Sequence, residues 1–235
     1  MGGQNSFMSD ERNSVTHTIL SRRSIRAFLP RPVERALVEE MLELAARAPS
    51  GGNLQPWHVD VLAGDALAGL KARARASLAA DPAGEGSEFP VYPLALGEPW
   101  RSRRHDSGEA LYAAIGVARE NRPARLAQFA RNFDLFGAPV GLFFSIPRQF
   151  GPPQWAHLGM FMQTIMLLAE ERGLATCPQE AWTMVHKTVG AAIGLPEDRI
   201  FYCGMALGHR DDAHPINACR TEREPVEAFA TFAGF

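Results

Sequence analysis

A chain of 235 residues with 46% hydrophobic and 21% charged side chains has a globular composition, long enough to bury a sizeable core and unlike a disordered protein. Twenty-four basic and 26 acidic residues leave a net charge of −2, which excludes a global electrostatic pull toward nucleic acid or an anionic membrane surface. The three cysteines are too scattered for a disulfide framework or a zinc site, and the seven histidines form no HExxH helix, so no metal is expected.

The first stretch, MGGQNSFMSDERNS, lacks the basic and apolar regions of a secretory signal, and residues 1–13 are expected to be disordered. Gly2 and Ser6 satisfy the loose myristoylation pattern, without a second anchoring signal. Ser14 is placed to cap a short helix running to Ser21. A second helix follows Pro32, with Leu37, Met41, Leu44, Ala45 and Ala48 on one stripe, and Pro49 stops it. WHVDVLAG (57–64) alternates and ends at glycine, the pattern of a strand, and 65–80 reads as a helix with a basic outer face.

Residues 81–99 carry four prolines and three glycines, which disfavour both helix and central strand. An excursion of that length inside a compact domain is usually functional or disordered. Helices are predicted over 107–119 and 123–135, the second with Pro123 in its first turn and a stop at Gly137. VGLFFSI (140–146) reads as a buried strand.

Residues 152–173 form the most hydrophobic helix, which belongs either at the centre of the core or in a subunit interface, and Gly173 ends it. Its apolar run is broken by Gln163 and Thr164 and falls far short of the ~20 residues that cross a bilayer. A short helix near 185–193 and a strand near 200–207 follow. The tail CRTEREPVEAFATFAGF holds three phenylalanines, which together would make an exposed apolar patch unless they pack on something. No repeat or interdomain linker is visible. The expectation is one α+β domain over 14–235, cytoplasmic with reduced thiols, bearing a lid excursion at about 81–135.

Four short segments carry the chemistry. SRRSIRAF (21–28) crowds three arginines and two serines into eight positions, a composition suited to an anion. APSGGNLQPWHV (48–59) holds consecutive glycines that allow close approach of backbone to a ligand. TCPQEAW (176–182) is the third, and ACRTERE (218–224), in the charged tail, is the fourth. Each alone is weak, but in this order and spacing the set resembles the FMN-dependent nitroreductase family, along the chain from about Ser14 to Phe229. The 108–121 and 131–140 segments are similar to the branch that reduces nitroaromatics such as nitrobenzene.

The resemblance implies a nitroreductase-like α+β fold with a central, mostly antiparallel sheet flanked by helices, in an intertwined homodimer with FMN at the interface. It implies that Arg22 and Ser24 hold the FMN phosphate and that Arg26 lies at the ring's pyrimidine edge, with the Arg23 backbone between them. Pro49, Ser50, Gly51, Asn53 and Gln55 would form a loop packed on the flavin from the other subunit, whereas Trp57 is read as core packing. Pro178, Gln179, Glu180 and Ala181 would lie against the ring, with Ala181 where many relatives have glycine. Arg220 and Arg223 would close on the phosphate.

No side chain is assigned as a catalytic acid, because hydride transfer needs orientation and electrostatics more than a proton donor. The implied activity is two-electron ping-pong hydride transfer from NADH or NADPH through FMN to a small aromatic acceptor. Residues 81–106, with Phe89, Tyr92, Trp100 and the RSRRH run, are the candidate lid. The alternatives are a quinone or free-flavin reductase of the same family and a non-catalytic flavin-binding protein; neither nucleic acid nor membrane is an expected partner.

Overall fold

The computed structural model describes residues 14–235, so the expected disorder of 1–13 and the Gly2 pattern lie outside the described residues. Four strands, β1 (His58–Ala63), β2 (Val140–Pro147), β3 (Ala175–Gln179) and β4 (Arg199–Gly208), form one sheet in the order β1-β2-β4-β3. Every neighbouring pair is antiparallel, in agreement with the expected sheet.

Alternation along the central strands sorts side chains into two cores. Val140, Leu142, Phe144 and Ile146 of β2 join one face, and Phe143 joins the other. The first core is closed by α2 (Arg35–Ala45) and α6 (Pro152–Glu171). The second is closed by α3 (Gly64–Ala80), α7 (His186–Ile193) and the 3₁₀ turn Glu180–Val185, with Trp182 at its centre. On α6 the buried residues Leu158, Phe161, Met162, Ile165 and Ala169 follow the helical period, a single buried stripe on a helix whose sequence is apolar nearly all round. The first helix, α1 (Val15–Ser21), is capped as expected, the Ser14 hydroxyl accepting from His17 N at 3.1 Å.

Three local features differ from expectation. Helix α4 (Trp100–Ala114) begins seven residues before the predicted 107 and takes in the whole RSRRH run. None of its residues is buried, so no apolar stripe marked its start. Helix α5 (Arg122–Ala130) ends early and passes into a 3₁₀ turn, Arg131–Gly137. There Leu135 (φ 52°) and Phe136 (φ 55°) take left-handed conformations, and both side chains are buried. Strand β3 stands where the resemblance implied only a turn; at the sheet edge, Pro178 lacks an N–H without losing a ladder bond.

A fourth feature is a register shift. Phe144 pairs with Cys203 while Ser145 pairs with Phe201, so Tyr202 is an extra residue in β4.

The proline-rich excursion is moored at its base. The Glu85 carboxylate accepts from Lys187 N (2.8 Å), Thr188 N (3.0 Å) and Ser77 Oγ (2.9 Å), capping the start of α7. Glu85 N in turn donates to Met184 O at 2.7 Å. Glu88 pairs with Arg148, and Phe89 packs against Trp155 and Tyr202 with ring centroids 5.4 and 6.0 Å apart. Among the described residues no helix is long and apolar enough to cross a membrane.

Candidate functional site

The arginine-rich segment at 21–28 lies along the free edge of β3. Ile25 N donates to Thr176 O at 3.0 Å, and Ser24 forms an isolated parallel bridge with Thr176. Its other side is pinned by Asn217, which is 5% exposed. Asn217 Oδ1 accepts from Arg26 N at 2.9 Å, and its Nδ2 donates to Ala27 O and Asp211 O, both at 2.8 Å. The Arg23 guanidinium donates to Asn217 O, so that side chain is held within the fold.

Arg22 and Arg26 are left beside Cys177. Burial pushes the Cys177 thiol up to about 11, and the two guanidinium charges act in the opposite direction. Among the described residues no carboxylate lies within ion-pair reach of Arg22 or Arg26. Two uncompensated cations next to backbone N–H groups make an environment for an anion.

Arg26 opens into a cavity of about 970 Å³ that is also lined by Pro178, Gln179, Glu180 and Ala181. The structure therefore brings one residue of the first segment together with the whole PQEA turn. Leu111 and Tyr112 of α4, Phe129 of α5 and Met162 and Met166 of α6 supply apolar walls, and Tyr92 and Arg104 line it from the excursion and α4. The Arg104 guanidinium sits 4.1 Å from the Tyr92 ring centroid.

The PQEA turn is placed by β3 and held from behind by Trp182, whose ring meets Phe143 and Phe133 edge-on at 5.2 and 5.6 Å. Burial pushes the Glu180 carboxyl up, partly countered by the Tyr202 hydroxyl, which donates to Oε1 at 3.3 Å. Burial also raises Tyr202 and Cys203. Gln179 Nε2 donates to Asn132 O (2.9 Å) and Oδ1 (3.1 Å), while Gln179 Oε1 and Gln128 Nε2 are buried without partners among the described residues.

The other two segments do not line this cavity. Residues 49–55 form an exposed turn in which Gly52 (φ 59°), Asn53 (φ 55°) and Gln55 (φ 48°) are left-handed. Gln55 N donates to Ser50 Oγ at 3.0 Å, and Gly51 N donates to His157 Nε2 at 3.2 Å. Pro49 is exposed ahead of this turn. Trp57 stacks on Phe161 at 4.8 Å, which agrees with its reading as a packing residue. Arg220 and Arg223 are exposed, and Arg223 donates to Thr221 Oγ1 at 2.8 Å.

Sequence reasoning missed Tyr202, Asn132, Gln128, Met162 and Met166 as cavity residues. Gln128 and Asn132 carry a weak signal, the helical i, i+4 spacing; the extra residue that directs Tyr202 has none.

The Nitroreductase family model matches residues 19–209. A 4-nitrobenzoate reductase of Pseudomonas putida is 35% identical over 232 residues, covering 97% of this chain and 98% of its own length. The crystal structure of the FMN and NADPH-dependent nitroreductase NfnB from Sphigopyxis sp. strain HMH is similar at a TM-score of 0.92 and 45% identity, covering 94% of this chain and 100% of that one. That of the FMN-dependent nitroreductase NfnB from Mycobacterium smegmatis, in complex with NADPH, is similar at a TM-score of 0.88 and 30% identity, covering 93% and 97%.

Proposed function

The chain belongs to the nitroreductase family, and on that premise we propose that it is an FMN-dependent oxidoreductase using NADPH or NADH to reduce nitroaromatic compounds. The observation that carries this reading is the cavity in which Arg26 faces the PQEA turn beneath aromatic and methionine walls. The residues present suit FMN. Arg22 and Arg26 supply uncompensated positive charge for an anionic group, Ser24 adds a hydroxyl beside them, and the volume of about 970 Å³ admits a flat tricyclic ring with a ring-shaped reactant.

In this assignment Arg22 and Ser24 hold the phosphate, Arg26 meets the pyrimidine edge, and the backbone of Gln179, Glu180 and Ala181 lies against the ring. FMN, when bound, supplies reversible two-electron hydride chemistry. The protein's part is orientation and electrostatics. Asn217 fixes the Arg26 backbone, so the guanidinium starts from a rigid base. Burial works against a charge on Glu180 at the floor, and α4, α5 and α6 contribute apolar side chains to the walls.

A second copy of the chain completes the site in this reading. Val15 and Leu20 of α1 are 72% and 79% exposed, and Phe229 and Phe232 of the tail are exposed as well, an apolar surface suited to a partner subunit. The 49–55 turn and the Arg220 and Arg223 segment, which do not line their own chain's cavity, would then reach the neighbour's flavin.

The test is direct. Purified protein should show a flavin spectrum, release FMN on denaturation, scatter light as a dimer, and couple nicotinamide oxidation to reduction of 4-nitrobenzoate and nitrobenzene. Release of FAD, or an apoprotein that does not take up FMN, overturns the cofactor assignment. A monomer that retains flavin overturns the dimeric site.

A further inference from the structure

We propose that Arg104 sets the charge class of the acceptor, by pairing with a carboxylate carried on the ring of the nitroaromatic compound. The inference rests on the nitroreductase reading above and adds to it which nitroarenes are preferred. Helix α4 lines the cavity through Arg104, Ser107, Gly108, Leu111 and Tyr112, the i, i+3, i+4, i+7, i+8 spacing of a single helical face. Exposure falls along that face: Arg104 and Ser107 are exposed, whereas Gly108, Leu111 and Tyr112 are half-buried. The face therefore runs from a cation at the cavity mouth to apolar walls further in.

Two observations single this arginine out. Its neighbours on α4 are already paired, Arg101 with Glu98 at 2.7 Å and Arg103 with Glu224 at 2.8 Å. Among the described residues no carboxylate lies within ion-pair reach of Arg104. Its guanidinium instead packs 4.1 Å from the centroid of the Tyr92 ring, which lines the same cavity. Contact with a ring satisfies none of the guanidinium N–H donors, and their forked geometry matches a carboxylate. Of the two cations that line the cavity, Arg26 is assigned to the flavin, which leaves Arg104 for the substrate. Arg104 stands two turns before Leu111, a rise of about 10 Å that the arginine side chain and a para substituent can bridge between them. With the ring against Leu111 and Tyr112 and the nitro group toward the PQEA turn, a substituent at the opposite end of the ring points to the mouth.

The experiment uses holoenzyme and NADPH with two acceptors of the same shape, 4-nitrobenzoate and the uncharged 4-nitrobenzamide. Arg104→Met should lower the ratio of their kcat/KM values, carboxylate over amide, by about fivefold or more, and the loss should lie in KM, as for a contact made equally in ground and transition states. Arg104→Lys, which keeps the charge but not the fork, should recover part of that ratio. Added salt should lower the ratio in the wild type and leave it level in Arg104→Met. Taking the ratio of two acceptors on one variant cancels losses of folded or flavin-loaded enzyme. An unchanged ratio in Arg104→Met overturns the inference, whether or not both acceptors slow together. A changed preference between NADPH and NADH with the acceptor ratio intact also overturns it, by giving the cation to a phosphate of the donor. Wild-type protein that reduces neither acceptor overturns the nitroreductase reading itself, and the inference with it.

Discussion

Arg26 and Asn217, separated by 191 positions in sequence, are joined by a hydrogen bond of 2.9 Å from the Arg26 backbone N–H to the Asn217 side-chain oxygen. The same asparagine also holds Ala27 O, Asp211 O and, through its own carbonyl, Arg23. One buried amide thereby ties the cation-bearing segment to the segment that follows β4.

Asn217→Ala should be among the most damaging polar substitutions in the chain. It strands the Arg26 N–H and two carbonyls, a loss of roughly 3 kcal/mol. Denaturant unfolding should show that loss, and FMN retention should fall with it because Arg26 loses its fixed base. Asn217→Asp keeps the acceptor for Arg26 but loses both Nδ2 donors, so it should rescue only part of the stability.

Arg22→Ala and Arg26→Ala should separate two roles. Removing Arg22 takes a charge-assisted partner from the phosphate, about 1.5–3 kcal/mol, and should lose FMN. Arg26→Ala should retain measurable FMN, lower its midpoint potential and slow its reduction by nicotinamide, because a cation at the pyrimidine edge favours the reduced anion. Bound flavin, potentiometry and stopped-flow reduction on both variants read the difference.

Gly204→Ala should overpack the wall behind the PQEA turn. A Cβ there would lie 2.6 Å from Trp182 Cδ1, and the Trp182 ring is fully buried between Phe143 and Phe133. With nowhere for the ring to retreat, a penalty of about 1–3 kcal/mol is expected. Thermal unfolding should report it, accompanied by a change in the bound-flavin spectrum as Glu180 and Ala181 shift.

Acid should weaken the mooring at Glu85. Burial works against the Glu85 charge, and hydrogen bonds from Thr188, Ser77 and Lys187 outweigh it, leaving the carboxyl below the usual carboxylate range. A depressed folded pKa contributes stability above the unfolded value and loses it as pH falls through the folded one. Glu85→Gln should therefore be less stable than wild type at neutral pH, and the gap should close in denaturant titrations as pH falls from the usual carboxylate range through the lowered folded value.

The legible parts of this molecule were those in which periodicity and burial coincide. The Met41, Ala45 and Ala48 stripe of the second helix and the apolar runs of β2 and α6 were readable as buried, whereas the face that α6 buries was not, because its sequence is apolar nearly all round. The start of α4 was illegible because none of its residues is buried. Strand β3 was hidden by Pro178, a residue that only the sheet edge tolerates. At the candidate site, residue types in order identified Arg26 and the PQEA turn. Asn217 and Tyr202 act through pairings nearly two hundred residues away or through an extra residue in a strand, and neither leaves a local pattern.

The mooring of the excursion also bears on how this protein could diversify. Ser77, Met184, Lys187, Thr188, Arg148 and Trp155 hold its first residues, through Phe89, to the body of the chain. Beyond that point Tyr92 faces the cavity and Leu94 is 104% exposed, answering to no buried residue. Between Phe89 and Glu98, whose carboxylate accepts from Ser102 N at the start of α4, no residue is buried, so mutational drift there is only weakly coupled to foldability. New acceptor preferences can be sampled in that stretch while the sheet and the Arg26 segment stay under unchanged constraint, which makes it the natural target for a randomised library.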